Sequence, residues 1–451
     1  MATSSRALLL SVLSVAAPLV FALPAPAAGL SLPEAIRAAW ATHAGLKAGE
    51  AEVESLRAQA QAADDSRFPT LALGARALRT TEPVAAFGLK LDQGRIAQSD
   101  FDPARLNAPD AAYSWGLSAS VTQPLYAGGR IDAGRRATAA LVEAGGLTQE
   151  RRKQELAAAV VEAYFGSQVS EVGVRYADDL LAQARETESF AKARALAGAM
   201  LDADAARASA FRAQAEAEVA SARQRRSSAR SGLALLVGDD AAEAMLSTPL
   251  EVAVPAPAPA AALVTAPAPG TGARADLLAA KARARAASEG ATIAEGSLLP
   301  EVFVQLAAET ARRKPDEGSV WTTAVLGARW QLSFAAHDDS HAARAKARAA
   351  EEIIRWDERR ATREIAEAGR AIDASQSRVA AAREAVTSSE AVRTQRTARH
   401  RQGLLPLTEV LDAETSLSGA RALLLRSQLE SRLALAWLQL AAGQPVEGVT
   451  P

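Results

Sequence analysis

Between Tyr113 and Thr122, apolar and polar side chains alternate residue by residue. Tyr113, Trp115, Leu117, Ala119 and Val121 fall on one face, and Ser114, Gly116, Ser118, Ser120 and Thr122 on the other. A period of two marks a strand with one apolar face. Weaker versions of the pattern run over Thr70–Thr80, Pro300–Ala311 and Val320–Ser333. In the last, Val320, Thr322, Ala324, Leu326, Ala328, Trp330 and Leu332 share a face. Strands of about 10 to 14 residues are long enough to cross an outer membrane when tilted. Tyr113, Trp115, Trp321 and Trp330 lie near strand ends, where an aromatic girdle at the membrane interface is expected. A small soluble hairpin, with its Trp residues in a core, fits the same alternation. The polar, Pro-containing stretch Thr81–Ala112 predicts a loop.

Elsewhere the pattern is helical. Ser31 is an N-cap, with Pro33 and Glu34 in the first turn, for a helix running to about Arg67 and stopped by Pro69. Gly129–Ala197 and His337–Arg401 contain no Pro, and at the α-helical rise they would measure about 100 Å and about 95 Å. Shorter helices are expected over Asp204–Val237, Arg274–Leu298 and Leu407–Ala442. Stacked end to end, the two short helices of each half match its long helix to within about 5 Å. Leu429, Leu433, Ala436, Trp437 and Leu440 mark a helix–helix seam.

The chain repeats itself. Arg194-x3-Gly198 recurs as Arg399-x3-Gly403, Leu236-Val237-Gly238 as Ala441-Ala442-Gly443, and Phe68-Pro69 as Leu299-Pro300. Such self-similarity predicts two related units, 28–252 and 273–443, each ordered helix, strand, strand, long helix, helix. A Pro/Ala-rich linker, 253–272, acts as a semi-rigid spacer between them, and 444–451 forms a tail. Residues 1–27 read as a cleavable signal peptide: Arg6 precedes an apolar run that ends in an Ala-x-Ala signal.

Composition sharpens this picture. Hydrophobic residues make up 49% of the chain but aromatic residues only 4%, with Ala dominant. Ala favours helix and lets backbones approach closely while burying little area, so long thin bundles are expected in place of thick cores. The net charge of −1 gives no support to a nucleic-acid partner. With no Cys, disulfides, thiolate metal sites, Cys nucleophiles and lipidation at Cys are excluded. No Ser/His/Asp order stands out, and Gly128-Gly129-Arg130 lacks the ending of a phosphate loop. No enzyme activity and no cofactor are expected. His337 and His341 have an i,i+4 spacing able to bind a metal, but a capped helix start accounts for the neighbouring Asp residues and no metal site is assigned.

Three segments carry a resemblance. Val121-Thr122-Gln123-Pro124-Leu125-Tyr126-Ala127-Gly128-Gly129-Arg130 resembles the strand-to-helix junction of TolC-type outer-membrane efflux proteins. Glu409-Val410-Leu411-Asp412-Ala413 resembles their turn near the periplasmic tip, and the loop around Ala86–Gln93 and Asp100–Pro103 is similar as well. Phe334-Ala335-Ala336-His337-Asp338 departs from the pattern by lacking the paired Gly. The resemblance spans essentially the whole mature chain. It implies a mainly α fold with a membrane β-barrel portion: four strands per chain in a trimeric twelve-stranded barrel, above a long periplasmic α-helical barrel. It also implies an outer-membrane location and two protein partners, a periplasmic adaptor packing near Gly198 and Gly403 and an inner-membrane transporter that supplies the energy.

At the tip, the resemblance makes Glu409 and Asp412, three residues apart, a ring of converging carboxylates that favours cations. Asp202 and Asp204 lie at the equivalent turn of the first half, and His400 and Arg401 border the second turn, where charge pairs could hold it closed. Favourable contact with the helix macrodipole explains such N-terminal carboxylates equally well. A soluble periplasmic coiled-coil scaffold is the alternative for the whole chain.

Overall fold

In the computed structural model, residues 29–250, 274–314 and 316–448 are described. The expected signal peptide and Pro/Ala-rich linker lie outside them. The chain begins with α1 (Leu32–Thr42) and α2 (Ala44–Asp65), followed by β1 (Thr70–Thr80). Helices α3 (Pro83–Asp92) and α4 (Pro103–Asn107) lead to β2 (Ala112–Ala127), then α5 (Arg130–Leu196) and α6 (Asp202–Val237). After the undescribed stretch come α7 (Ala275–Gly296), β3 (Glu301–Lys314), β4 (Glu317–Arg329), α8 (Phe334–Arg401) and α9 (Leu407–Ala441).

The first predicted helix is two. His43 takes an extended ψ of 120°, and its N–H bonds to the Ala39 carbonyl, so α1 closes before α2 starts. The expected loop 81–112 is partly helical. Pro83 stands in the first turn of α3, where its fixed φ suits the helix and its missing N–H costs nothing. The side chain of Asp102 caps α4 by accepting from the Ala104 N–H at 3.0 Å. Lys90 and Asp100 at 2.8 Å, with Phe87 edge-on to Phe101, tie this insertion to itself.

The four strands form one antiparallel sheet in the order β1-β2-β3-β4. The long helices all leave from one end of it, and the α3–α4 insertion joins β1 to β2 at the other. At 67 and 68 residues, α5 and α8 each extend about 100 Å. Against α5 lie α2, α1 and α6; against α8 lie α7 and α9. The short helices meet midway. The Thr42 hydroxyl donates to the Val237 carbonyl at 3.3 Å, and the Arg274 guanidinium donates to the Ala441 carbonyl at 3.4 Å. One thick core forms at this level, around Leu32, Ile36, Val161, Tyr164, Phe165, Leu233 and Leu440. The phenol of Tyr164 donates to the Leu30 carbonyl at 2.7 Å and accepts from the Thr248 N–H at 2.9 Å. Away from it the helices meet along narrow Ala seams such as Ala177, Ala184, Ala215 and Ala222. Of the predicted α9 seam, Ala436 and Leu440 are buried, with Leu429 and Leu433 packed beside them, whereas Trp437 is 52% exposed.

Candidate functional site

Two regions stand out, one at each end of the molecule. The sheet turns an apolar face outward. Register places Leu71 and Leu73 on the same side as Trp115, Leu117 and Val121, and extends that side through Leu306 and Val304 to Ala324 and Leu326. Leu73 is 76%, Trp115 64% and Leu326 74% exposed. The opposite face carries Arg76, Ser118, Ser120, Thr122, Gln305 and Glu309. Both edges, β1 and β4, lack a strand partner among the described residues.

The aromatic residues sort differently from expectation. Tyr113 and Trp115 lie on the apolar face at the end of the sheet away from the long helices. Trp330 follows β4 at the helix end, its indole N–H donating to the Leu298 carbonyl at 2.9 Å. Trp321 is opposite Glu309 and so belongs to the polar face, one step out of phase with Val320 and Thr322. It is therefore not a lipid-facing girdle residue. A register shift between Pro124 and Tyr126 reverses the alternation of β2, and Tyr126 joins Val302 on the apolar face in its place. From the level of Trp115 to that of Tyr126 the strands run about ten residues, or about 33 Å, which at a 45° tilt spans about 24 Å, close to the apolar band of an outer-membrane barrel.

At the far end the helices turn back on themselves twice in the same way. Gly198 and Gly403 take φ of +70° and +78°, a left-handed conformation that Gly adopts without steric cost. The Ala199 N–H bonds to the Arg194 carbonyl at 2.8 Å, and the Leu404 N–H bonds to the Arg399 carbonyl at 2.9 Å. Leu407 packs with Ala191 and Ala208, joining the two hairpins.

Of the predicted tip residues, Arg401 forms an ion pair with Glu186 on α5, and the Arg194 guanidinium donates to the Arg401 carbonyl at 3.5 Å. His400 makes no charge pair. It is 7% exposed, stacks edge-on to Phe190, and places Nδ1 2.7 Å from the Leu405 carbonyl. Glu409 pairs with Arg396 at 2.8 Å. Asp412 is exposed and has no ion pair among the described residues. Asp202 is also exposed, and Asp204 stands 3.9 Å from Arg207.

Sequence reading missed a ladder of charges about two to five turns above the tip. Arg393 approaches the buried Glu414 at 3.7 Å, and burial pushes the Glu414 carboxyl above its ordinary range. Arg421 lies over the Tyr176 ring, 3.0 Å from Glu390 and 4.0 Å from Asp179. Glu188 of α5 is held down to about 2 by hydrogen bonds from Lys192 and Ser209 and by the charge of Arg212 on α6. No local motif marks these residues, because most pair across the two arms of a hairpin and Arg421 reaches Asp179 on the other hairpin.

An exposed apolar sheet face on one end of a bundle about 100 Å long, with tight turns at the other end, defines the class of channel proteins that join a membrane β-barrel to a helical tunnel. The comparisons agree. The outer membrane efflux protein family matches residues 35–239 and 272–444, and the chain belongs to that family. Its fold is similar to that of a membrane protein from Pseudomonas aeruginosa, with TM-score 0.77 and 21% identity over 92% of this chain and 91% of that one. The outer membrane protein VceC from Vibrio cholerae matches with TM-score 0.73 and 20% identity, over 92% and 96% of the two chains. The Campylobacter jejuni CmeC outer membrane channel matches with TM-score 0.76 and 14% identity, over 92% and 86%. No curated protein matches the sequence.

Proposed function

We propose that three copies of this chain close one twelve-stranded barrel in the outer membrane and a helical tunnel beneath it, giving passive exit to substrates delivered by an inner-membrane transporter through a periplasmic adaptor. The observation that carries this reading is the sheet. Its two unpaired edges expose backbone N–H and C=O groups that cannot remain unsatisfied in lipid, while its apolar face has no cover among the described residues. Closure against copies of itself satisfies the edges and turns the apolar face to lipid. A soluble periplasmic scaffold leaves both features without a role.

In this assembly, 28–252 and 273–443 act as two structural repeats, which together supply four strands. The Gly198 and Gly403 turns form the adaptor-contact tips. Asp412, with Glu409, Asp202 and Asp204, lines the constriction, and Arg401 helps hold it closed through Glu186. His400 supports the turn by packing. Tyr113, Trp115 and Trp330 sit at the lipid interfaces. The direct test is the mass of the mature protein extracted from outer membranes in detergent. A species near three times the chain mass is expected, and a water-soluble monomer or dimer overturns the reading.

A further inference from the structure

We propose that His337 and His341 form a binding site for a late first-row divalent cation, Cu²⁺ most tightly, at the start of α8. The two rings meet edge-to-face with centroids 4.6 Å apart, and their Nε2 atoms stand 3.1 Å from each other. Two imidazole nitrogens each about 2.0–2.1 Å from one metal, at an angle of about 90–100°, are separated by about 3 Å. The rings therefore already present the bite of a chelate. A lone proton shared between the same two nitrogens fits this distance too, and a metal ion displaces it.

The backbone beneath the pair is fixed. Ser340, buried between the two positions, donates its hydroxyl to the His337 carbonyl at 2.7 Å. Both His side chains face outward from this turn and are exposed, so an ion and its waters have access. The positive end of the helix dipole opposes a cation here, but Asp338 and Asp339 sit beside the pair and offset it. Arg344, one turn on, is ion-paired with Glu295 of α7 at 2.5 Å. Among the described residues no group of three or more His, Cys, Asp or Glu gathers to hold a metal, so water must complete the coordination. Such an open two-nitrogen site follows the general affinity order, with Cu²⁺ ahead of Ni²⁺ and Zn²⁺. Chelation across i,i+4 would also clamp the first turns of α8, directly below the sheet. Both ligands lie on one helix of one chain, so the site does not depend on the channel reading.

The test uses the full mature chain, purified in detergent without a His tag and stripped with a chelator. Titration with Cu²⁺ by calorimetry and electron paramagnetic resonance is expected to show one ion per chain with two nitrogen ligands. H337A and H341A should each weaken binding at least tenfold, while H43N leaves it unchanged. Unaltered binding in either of the first two variants, or a spectrum with fewer than two nitrogens in the native protein, overturns the proposal. A second measurement needs no variant. Cu²⁺ should protect His337 and His341 from acylation by diethyl pyrocarbonate, and equal modification with and without the ion contradicts the site.

Discussion

Arg401, on the last turn of α8, reaches across to Glu186 on α5, an ion pair that ties the two hairpin ends of one chain at the tip. Both side chains are 58% exposed, and an exposed pair of this kind contributes roughly 0–1 kcal/mol to stability. Its effect should therefore appear in gating before it appears in folding. Glu186→Gln is expected to raise single-channel conductance in planar bilayers while leaving the heat-unfolding midpoint nearly unchanged. A variant with native conductance removes this pair from the closing contacts.

The two carboxylates proposed to line the constriction should not be equivalent. Glu409 is already neutralised by Arg396 at 2.8 Å, whereas Asp412 is exposed with no ion pair among the described residues. Asp412→Ala is expected to relieve block by trivalent cations more than Glu409→Ala does, with the double substitution relieving it most. Equal block in all three variants and the native channel would place the cation site elsewhere.

Acid should loosen the α5–α6 hairpin in a defined window. The Glu188 carboxyl is lowered from 4.5 to about 2 by Lys192, Ser209 and Arg212. A depressed acid contributes stability above its unfolded pKa and loses it as the pH falls through its folded one. The contribution is present above pH 4.5 and drains away between pH 4.5 and about 2. Glu188→Gln should make the fall of the unfolding midpoint across that interval shallower. An unchanged slope contradicts this assignment.

Tyr164 holds the thick core to the segments on either side of it. Its phenol serves the Leu30 carbonyl and the Thr248 N–H at 2.7 and 2.9 Å. Tyr164→Phe takes the partner from the Thr248 N–H at nearly constant volume, while the Leu30 carbonyl keeps the Ser247 N–H at 3.1 Å, a loss of about 1–3 kcal/mol. The midpoint of heat unfolding in detergent should drop, and hydrogen exchange at Thr248 should quicken. Native exchange there would show that water replaces the hydroxyl.

Much of the architecture was legible because its signals are local. The first strand runs from Thr70 to Thr80 as its pattern predicts, and the Pro-free stretches become α5 and α8. Errors arose where one residue type serves two roles. Pro83 reads as a loop marker yet opens a helix, and His43 carries no breaker signal yet divides one. Trp321 falls out of phase with its own Val320–Leu332 face, whereas Tyr126 reaches the apolar face only through the Pro124/Tyr126 bulge, which alternation alone does not reveal. At the tip, Gly198 and Gly403 repeat visibly, but Arg396 and Glu414 gain their meaning only when the α8–α9 hairpin closes, and Glu186 only when the two hairpins meet.

The proposed shared barrel can be tested by trapping, because the chain contains no Cys and any disulfide must come from introduced residues. Single cysteines on the β1 edge, combined in turn with single cysteines on the β4 edge, would be oxidised in native outer membranes and resolved on denaturing gels. Closure by three copies predicts that matched positions yield covalent species up to the trimer and none larger. Only monomers across all pairings, or a ladder continuing past three, would contradict it.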